Sequence, residues 1–113
     1  MTTLKSLIKS IEPVYVNSDI TAENFPIPKK IETENHQVFV TEGYMSSEEI
    51  LEEIKKRGGR PANIYELMSL VEEGKLKENG WYLAFGSKSQ VSHGHFRVPD
   101  FSRSDDGWYF CMT

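Results

Sequence analysis

The chain has 113 residues, 38% of them hydrophobic and 27% charged, a size and balance that fit one folded domain and exclude a disordered tail. Thirteen Lys and Arg stand against seventeen Asp and Glu, a net charge of −4, which argues against nucleic-acid binding, where clustered cations displace counterions from phosphates. The one cysteine, Cys111, allows no internal disulfide, the stretch from Met1 to Ile8 has no uninterrupted apolar region or small-residue cleavage site, and no apolar run reaches bilayer length. A cytoplasmic protein without membrane contact is therefore expected.

In chain order, Leu4, Leu7, Ile8 and Ile11 recur at helical spacing and predict a short helix over 3–11, stopped by Pro13. Val14-Tyr15-Val16 reads as a short strand, and Asn17-Ser18-Asp19 as a turn. The prolines at 26 and 28 exclude helix, leaving Phe25 and Ile27 as anchors of an extended crossing segment before a polar loop at 29–35. The stretch from His36 to Met45 predicts the longest strand. Ser46 with Glu49 forms a capping-box pattern for a helix over 47–57, with Ile50, Leu51 and Ile54 inward and Gly58 as left-handed cap.

Asn63 with Glu66 repeats the capping pattern for a helix over 63–73, its buried stripe being Ile64, Leu67, Met68 and Val71. The period then becomes two: Trp81, Leu83 and Phe85 point one way, Tyr82 and Ala84 the other. A strand over 90–98, bent at Gly94 and closed by Pro99, and a last strand over 108–112 behind the turn dipeptide Asp106-Gly107 complete the pattern. Nine of the thirteen aromatics stand at Tyr65 or beyond, so the C-terminal half should hold most of the core. The expectation is a single α+β domain over 1–113. Its mainly antiparallel sheet combines three C-terminal strands with one or two N-terminal ones, and the helices 47–57 and 63–73 cover one face.

Chemistry-bearing residues are few. His93 and His95 share a strand face, so both imidazoles would reach one metal ion, with His36 and Cys111 as the remaining soft ligands. A polar hairpin bent at Gly94 explains the same residues. Cys111 reads as a small buried hydrophobe and Ser87 lacks a nucleophile elbow. The acidic run Glu42, Glu48, Glu49, Glu52, Glu53 suggests a nucleic-acid mimic, but Lys55, Lys56 and Arg57 on the same helix partly cancel it and favour a solvated helix face. In Arg60-Pro61-Ala62-Asn63, helix-start chemistry accounts for Pro61 and Asn63, while Arg60 reads as an ion-pair partner of Glu66 or Asp100 or as an interface residue.

Several segments together resemble a family of small uncharacterised bacterial proteins: Val16-Asn17-Ser18-Asp19-Ile20-Thr21 with Phe25-Pro26, Met45-Ser46-Ser47-Glu48-Glu49, Gly59-Arg60-Pro61-Ala62 with Glu66-Leu67, Leu83-Ala84-Phe85-Gly86-Ser87, and Arg97-Val98-Pro99. The resemblance implies a shared fold and no known activity. More distantly, Arg60-Pro61-Ala62 with Glu66-Leu67 is similar to a helix start of formylglycine-generating enzymes and C-type-lectin-like domains, which would imply a lectin-like binding domain. The function expected from the residues is a non-enzymatic protein- or peptide-binding module of bacterial or phage origin, needing no cofactor. It would use Arg60, Tyr82, Phe96, Trp108 and Tyr109, with a protein partner or a second copy covering the surplus aromatic surface. The alternative is a metal site or metal-dependent enzyme on His93 and His95.

Overall fold

The computed structural model describes residues 3–38, 45–87, 89–90 and 96–112. Helix α1 spans Leu4–Ile11 and opens on a reciprocal cap: the Thr3 hydroxyl accepts from the Ser6 N–H while the Ser6 hydroxyl accepts from the Thr3 N–H. It ends where Glu12 turns left-handed (φ 53) before Pro13. Helix α2 spans Ser47–Lys56, with the Ser46 hydroxyl accepting from the Glu49 N–H, and Gly58 (φ 76) follows it. Helix α3 spans Ile64–Glu72 and starts with both halves of the Asn63–Glu66 box in place.

Four strands form one sheet, and the first of them in the chain is β1 (Tyr15–Val16). Strand β2 is Gly80–Leu83, β3 Ser89–Gln90, β4 Phe96–Arg97, β5 Pro99–Ser104 and β6 Gly107–Met112; the sheet order is β1-β6-β5-β2, and β3 pairs with β4 separately. The architecture is α+β with a largely antiparallel sheet, as expected. One pair departs from that pattern: β1 runs parallel to β6, with Tyr15 opposite Tyr109 and Val16 opposite Phe110. The N–H groups of Val14 and Asn17 donate to the carbonyls of Trp108 and Phe110 to hold it there.

Two expectations change. Pro99 opens a strand rather than closing one, and the segment taken as a continuous strand over 90–98 contributes two short antiparallel strands, with Ser89 opposite Arg97. A proline is tolerated as the first residue of a strand, and in β5 only Pro99 and Phe101 are buried, alternating with partly exposed Asp100 and Ser102. Of the long strand expected over 36–45, His36, Gln37 and Val38 are not in a strand, and residues 39–44 lie outside the described residues, as do His93, Gly94 and His95.

The core unites Leu4 and Leu7 of α1, six apolar residues of α3, and Phe101, Phe110 and Met112 of the sheet. Phe101 and Phe110 stack with ring centroids 4.1 Å apart. The helical share of this core thus falls to α1 and α3, which pack together, whereas Ile50, Leu51 and Ile54 of α2 are only half-buried. A helix with one narrow apolar stripe and charges elsewhere settles at a margin; α3, apolar on most sides, goes to the centre. The crossing segment is pinned over α3 by Phe25, which is buried, and by the Tyr65 hydroxyl, which donates to the Phe25 carbonyl at 2.6 Å. Tyr65→Phe leaves that buried carbonyl without its donor. It should cost about 1–2 kcal/mol, visible as a lower urea midpoint.

Candidate functional site

Two places gather the residues singled out by chemistry. The first is the start of α3. Glu66 is 2% exposed, yet it is charged, because four donors converge on it. The two Arg60 guanidinium nitrogens donate at 2.7 Å to Oε1 and 2.5 Å to Oε2; the Asn63 N–H reaches Oε1 at 3.0 Å and the Glu32 N–H reaches Oε2 at 2.6 Å. Burial alone would push the Glu66 carboxyl up, but the Arg60 hydrogen bonds and the Asn63 and Glu32 N–H groups outweigh it and hold the pKa below its ordinary value. The same pairing raises the pKa of Arg60, whose side chain remains 53% exposed. The ion pair with Glu66 is thus realised; it ties the connection between α2 and α3 to the cap of α3, and the Glu32 N–H adds the loop before α2.

The 84–87 turn docks beside this hub. The Gly86 N–H donates to the Ala62 carbonyl at 2.8 Å, and the Ser87 hydroxyl accepts from the Ile64 N–H at 2.8 Å. Between this turn, Asn63, Tyr65 and the segment Asn24-Phe25-Pro26 lies a cleft of about 250 Å³. Its polar groups are largely engaged within the chain: Asn63 Oδ1 accepts from the Glu66 N–H, Asn24 Nδ2 donates to the Asp19 carbonyl, and Ser87 caps α3. Among the described residues no charged side chain lines it. The cleft is a joint between segments that are distant in sequence, and Ser87 serves it as a helix cap.

The second place is the outer face of the sheet. Register fixes what points there. Tyr82, Phe101, Phe110 and Val16 are mutual partners and form the inner row. Trp81, Ser102, Tyr109 and Tyr15 form the adjacent, outward row across all four strands. Trp81 is 76% exposed and Tyr15 48%. Leu83, Asp100 and Cys111 make the next outward row. Tyr109 is anchored by its hydroxyl, which donates to Asp106 at 2.5 Å, while the Ser104 hydroxyl also donates to Asp106. The Ser104 and Tyr109 bonds hold the Asp106 carboxyl below its usual pKa, and the hydrogen bond to Asp106 raises the pKa of Tyr109. Burial, and then the Asp100 charge, push the Cys111 thiol up, away from the reactive thiolate.

The expected binding residues therefore divide. Tyr109 lies on the outward row. Tyr82 and Trp108 face the core side, half-buried, with ring centroids 5.7 Å apart. Phe96 stands in β4 opposite Gln90, and Arg60 lies at the α3 hub, away from that row in the register. Trp81 and Tyr15, which the sequence reading did not name as site residues, supply the exposed rings; the alternation at 81–83 carried the signal, but its phase depends on pairing with β5. His36 is exposed, with Nδ1 3.2 Å from the Thr33 carbonyl, and among the described residues no three His, Cys, Asp or Glu side chains gather as a metal site. No protein-family model, curated protein or solved structure matches this chain.

Proposed function

We propose that this chain is a non-enzymatic binding module that takes a protein or peptide partner on the outer face of its sheet. The observation that carries this reading is Trp81, 76% exposed at the head of an aromatic row that crosses four strands. Trp and Tyr are the side chains that most often anchor interfaces, because they bury a large apolar area with little loss of conformational freedom. Trp81 contributes little to the monomer: it lies opposite Ser102, outside the core cluster.

Two measurements test the reading. Trp81→Ala should leave stability within about 0.5 kcal/mol of wild type, as expected for an exposed residue outside the core. Capture from extract of the native host should then be compared between immobilised wild type and a Trp81→Ala/Tyr109→Ala variant of unchanged circular dichroism. A partner retained by wild type and lost by the variant is the expected result. Equal retention by both would sink the reading.

A further inference from the structure

The sheet ends on two very different edges. Strand β1 is two residues long and closely follows Pro13, the kind of short, proline-flanked edge that resists pairing with another chain. Strand β2, Gly80-Trp81-Tyr82-Leu83, has no such protection, since it carries neither charge nor proline. Among the described residues no strand pairs with its outer side. Trp81 is 76% exposed there and Leu83 38%.

The hydrogen-bond phase of that edge is fixed by the rest of the sheet. The carbonyls of Trp108 and Phe110 accept from the N–H groups of Val14 and Asn17, so their backbone groups face away from β5. Alternation then turns the groups of Phe101 toward β2 and those of its partner Tyr82 toward β5. Two residues on, the Ala84 N–H donates to the Pro99 carbonyl at 3.1 Å, in the same phase. Trp81 and Leu83 therefore aim their N–H and C=O groups at the open edge.

A strand that fills this edge must offer donors and acceptors at alternate residues, with apolar side chains at those same residues. A second copy of β2 does so. Laid antiparallel about a two-fold axis at Tyr82, it sets its Leu83 opposite Trp81 and its Trp81 opposite Leu83. Both pairs are then hydrogen-bonded, and every Trp81 and Leu83 N–H finds a carbonyl. The exposed apolar side chains meet on the outward face and the half-buried Tyr82 rings on the inner one, both stabilising cross-strand pairs. Neighbouring registers fail. Trp81 on Trp81 sets Leu83 against Asn79, which Arg103 and Asp105 already hold. Leu83 on Leu83 sets Trp81 against Phe85, which is buried beyond the end of the strand.

Charge does not oppose this arrangement. Of the residues opposite β2, Arg103 donates to the Lys77 carbonyl and to Asn79, and Asp100 is engaged within the chain. The Asp100 residues of the two copies stand three strand spacings apart, about 14 Å across the sheet. Lys75 pairs with Glu73 at 3.4 Å, and the charges that flank β2 in sequence, Lys77, Glu78 and Lys88, have both signs. Antiparallel pairing also sends the acidic hairpin tips at Asp105 and Asp106 to opposite ends. We infer that the chain forms a two-fold dimer in which the β2 edges of two copies join their four-stranded sheets into one continuous sheet. The outer face stays open in that dimer, which stands whether or not a partner binds there.

Sedimentation equilibrium of the full chain should give a mass that rises with concentration from 13.0 kDa toward twice that value. The rise is gradual because a four-residue edge makes a small interface. Leu83→Pro removes an N–H aimed at the open edge, where a strand tolerates proline, and should weaken the dimer at least about tenfold. Amide exchange of the wild type gives a second readout that needs no variant. The Trp81 and Leu83 amides should exchange more slowly as concentration rises, while the Tyr82 amide stays slow throughout. A chain that is monomeric at millimolar concentration would overturn the inference, as would a dimer that Leu83→Pro leaves unchanged. Trp81 and Leu83 amides protected equally at every dilution would overturn it too, because the edge would then be covered within one chain.

Discussion

Glu66→Gln is expected to destabilise the fold by about 3 kcal/mol, read as a lower urea midpoint with an unchanged slope. The substitution keeps the shape and removes the charge, so it isolates the hydrogen-bond pattern. Each carboxylate oxygen accepts one backbone N–H and one Arg60 N–H: Asn63 and Arg60 on Oε1, Glu32 and Arg60 on Oε2. Whichever way a glutamine amide is turned, its NH₂ faces two donors. The helix cap or the tether to Glu32 must then open. Arg60→Ala should cost less, about 2 kcal/mol, because the guanidinium is half exposed and Glu66 keeps its two backbone donors.

The pH dependence follows from the same site. The folded pKa of Glu66 lies below its ordinary 4.5, so its contribution is fully present above that value and fades as pH falls through the lower folded value. The stability gap between wild type and Glu66→Gln should therefore stay constant from neutral pH down to about 4.5 and shrink as pH falls further. A gap that widens on acidification would contradict the charge-based account.

Gly86→Ala should cost about 3 kcal/mol by overpacking. A methyl group there would stand 2.6 Å from the Pro61 carbonyl oxygen and 2.8 Å from both the carbonyl carbon and oxygen of Ala62. All three are backbone atoms, which cannot swing aside as a side-chain tip does. The turn must retreat, stretching the Gly86-to-Ala62 hydrogen bond and withdrawing the Ser87 hydroxyl from the Ile64 N–H. Gly58→Ala is the informative control. It meets open space, so only its left-handed φ of 76° opposes it, at about 1 kcal/mol. If the two variants melt together, close approach is not what holds the 84–87 turn.

The features legible in the sequence were those written locally. The Asn63–Glu66 box, the Gly58 stop and the Glu66 partner of Arg60 each lie within a few residues, where side-chain chemistry dictates geometry without help from the rest of the chain. The β5 strand was not legible, because Asp100, Ser102 and Arg103 dilute an alternation whose meaning rests on Phe101 meeting Phe110. The outward row was legible only in part. A period of two separates Trp81 from Tyr82 but does not say which faces water. That was decided by Tyr82 joining Phe101 and Phe110, a choice made by two other strands. Phe85 shows the same limit: it shares the phase of Trp81 but is buried, since β2 ends at Leu83 and the chain turns inward.

The parallel pairing of β1 with β6 has a kinetic consequence. It joins residues about 90 positions apart, so the chain must close a very long loop before the reward of that contact arrives. Helices α1, α2 and α3 can begin to form from local signals, but β1 has no ladder until Trp108–Phe110 has been synthesised and folded back. During synthesis, Leu4, Leu7 and Val16 wait without their sheet, exposed to misassociation. Docking of the first strand against the last is thus a late event of folding, and its rate will track the hairpin of β5 and β6 far more than any helix.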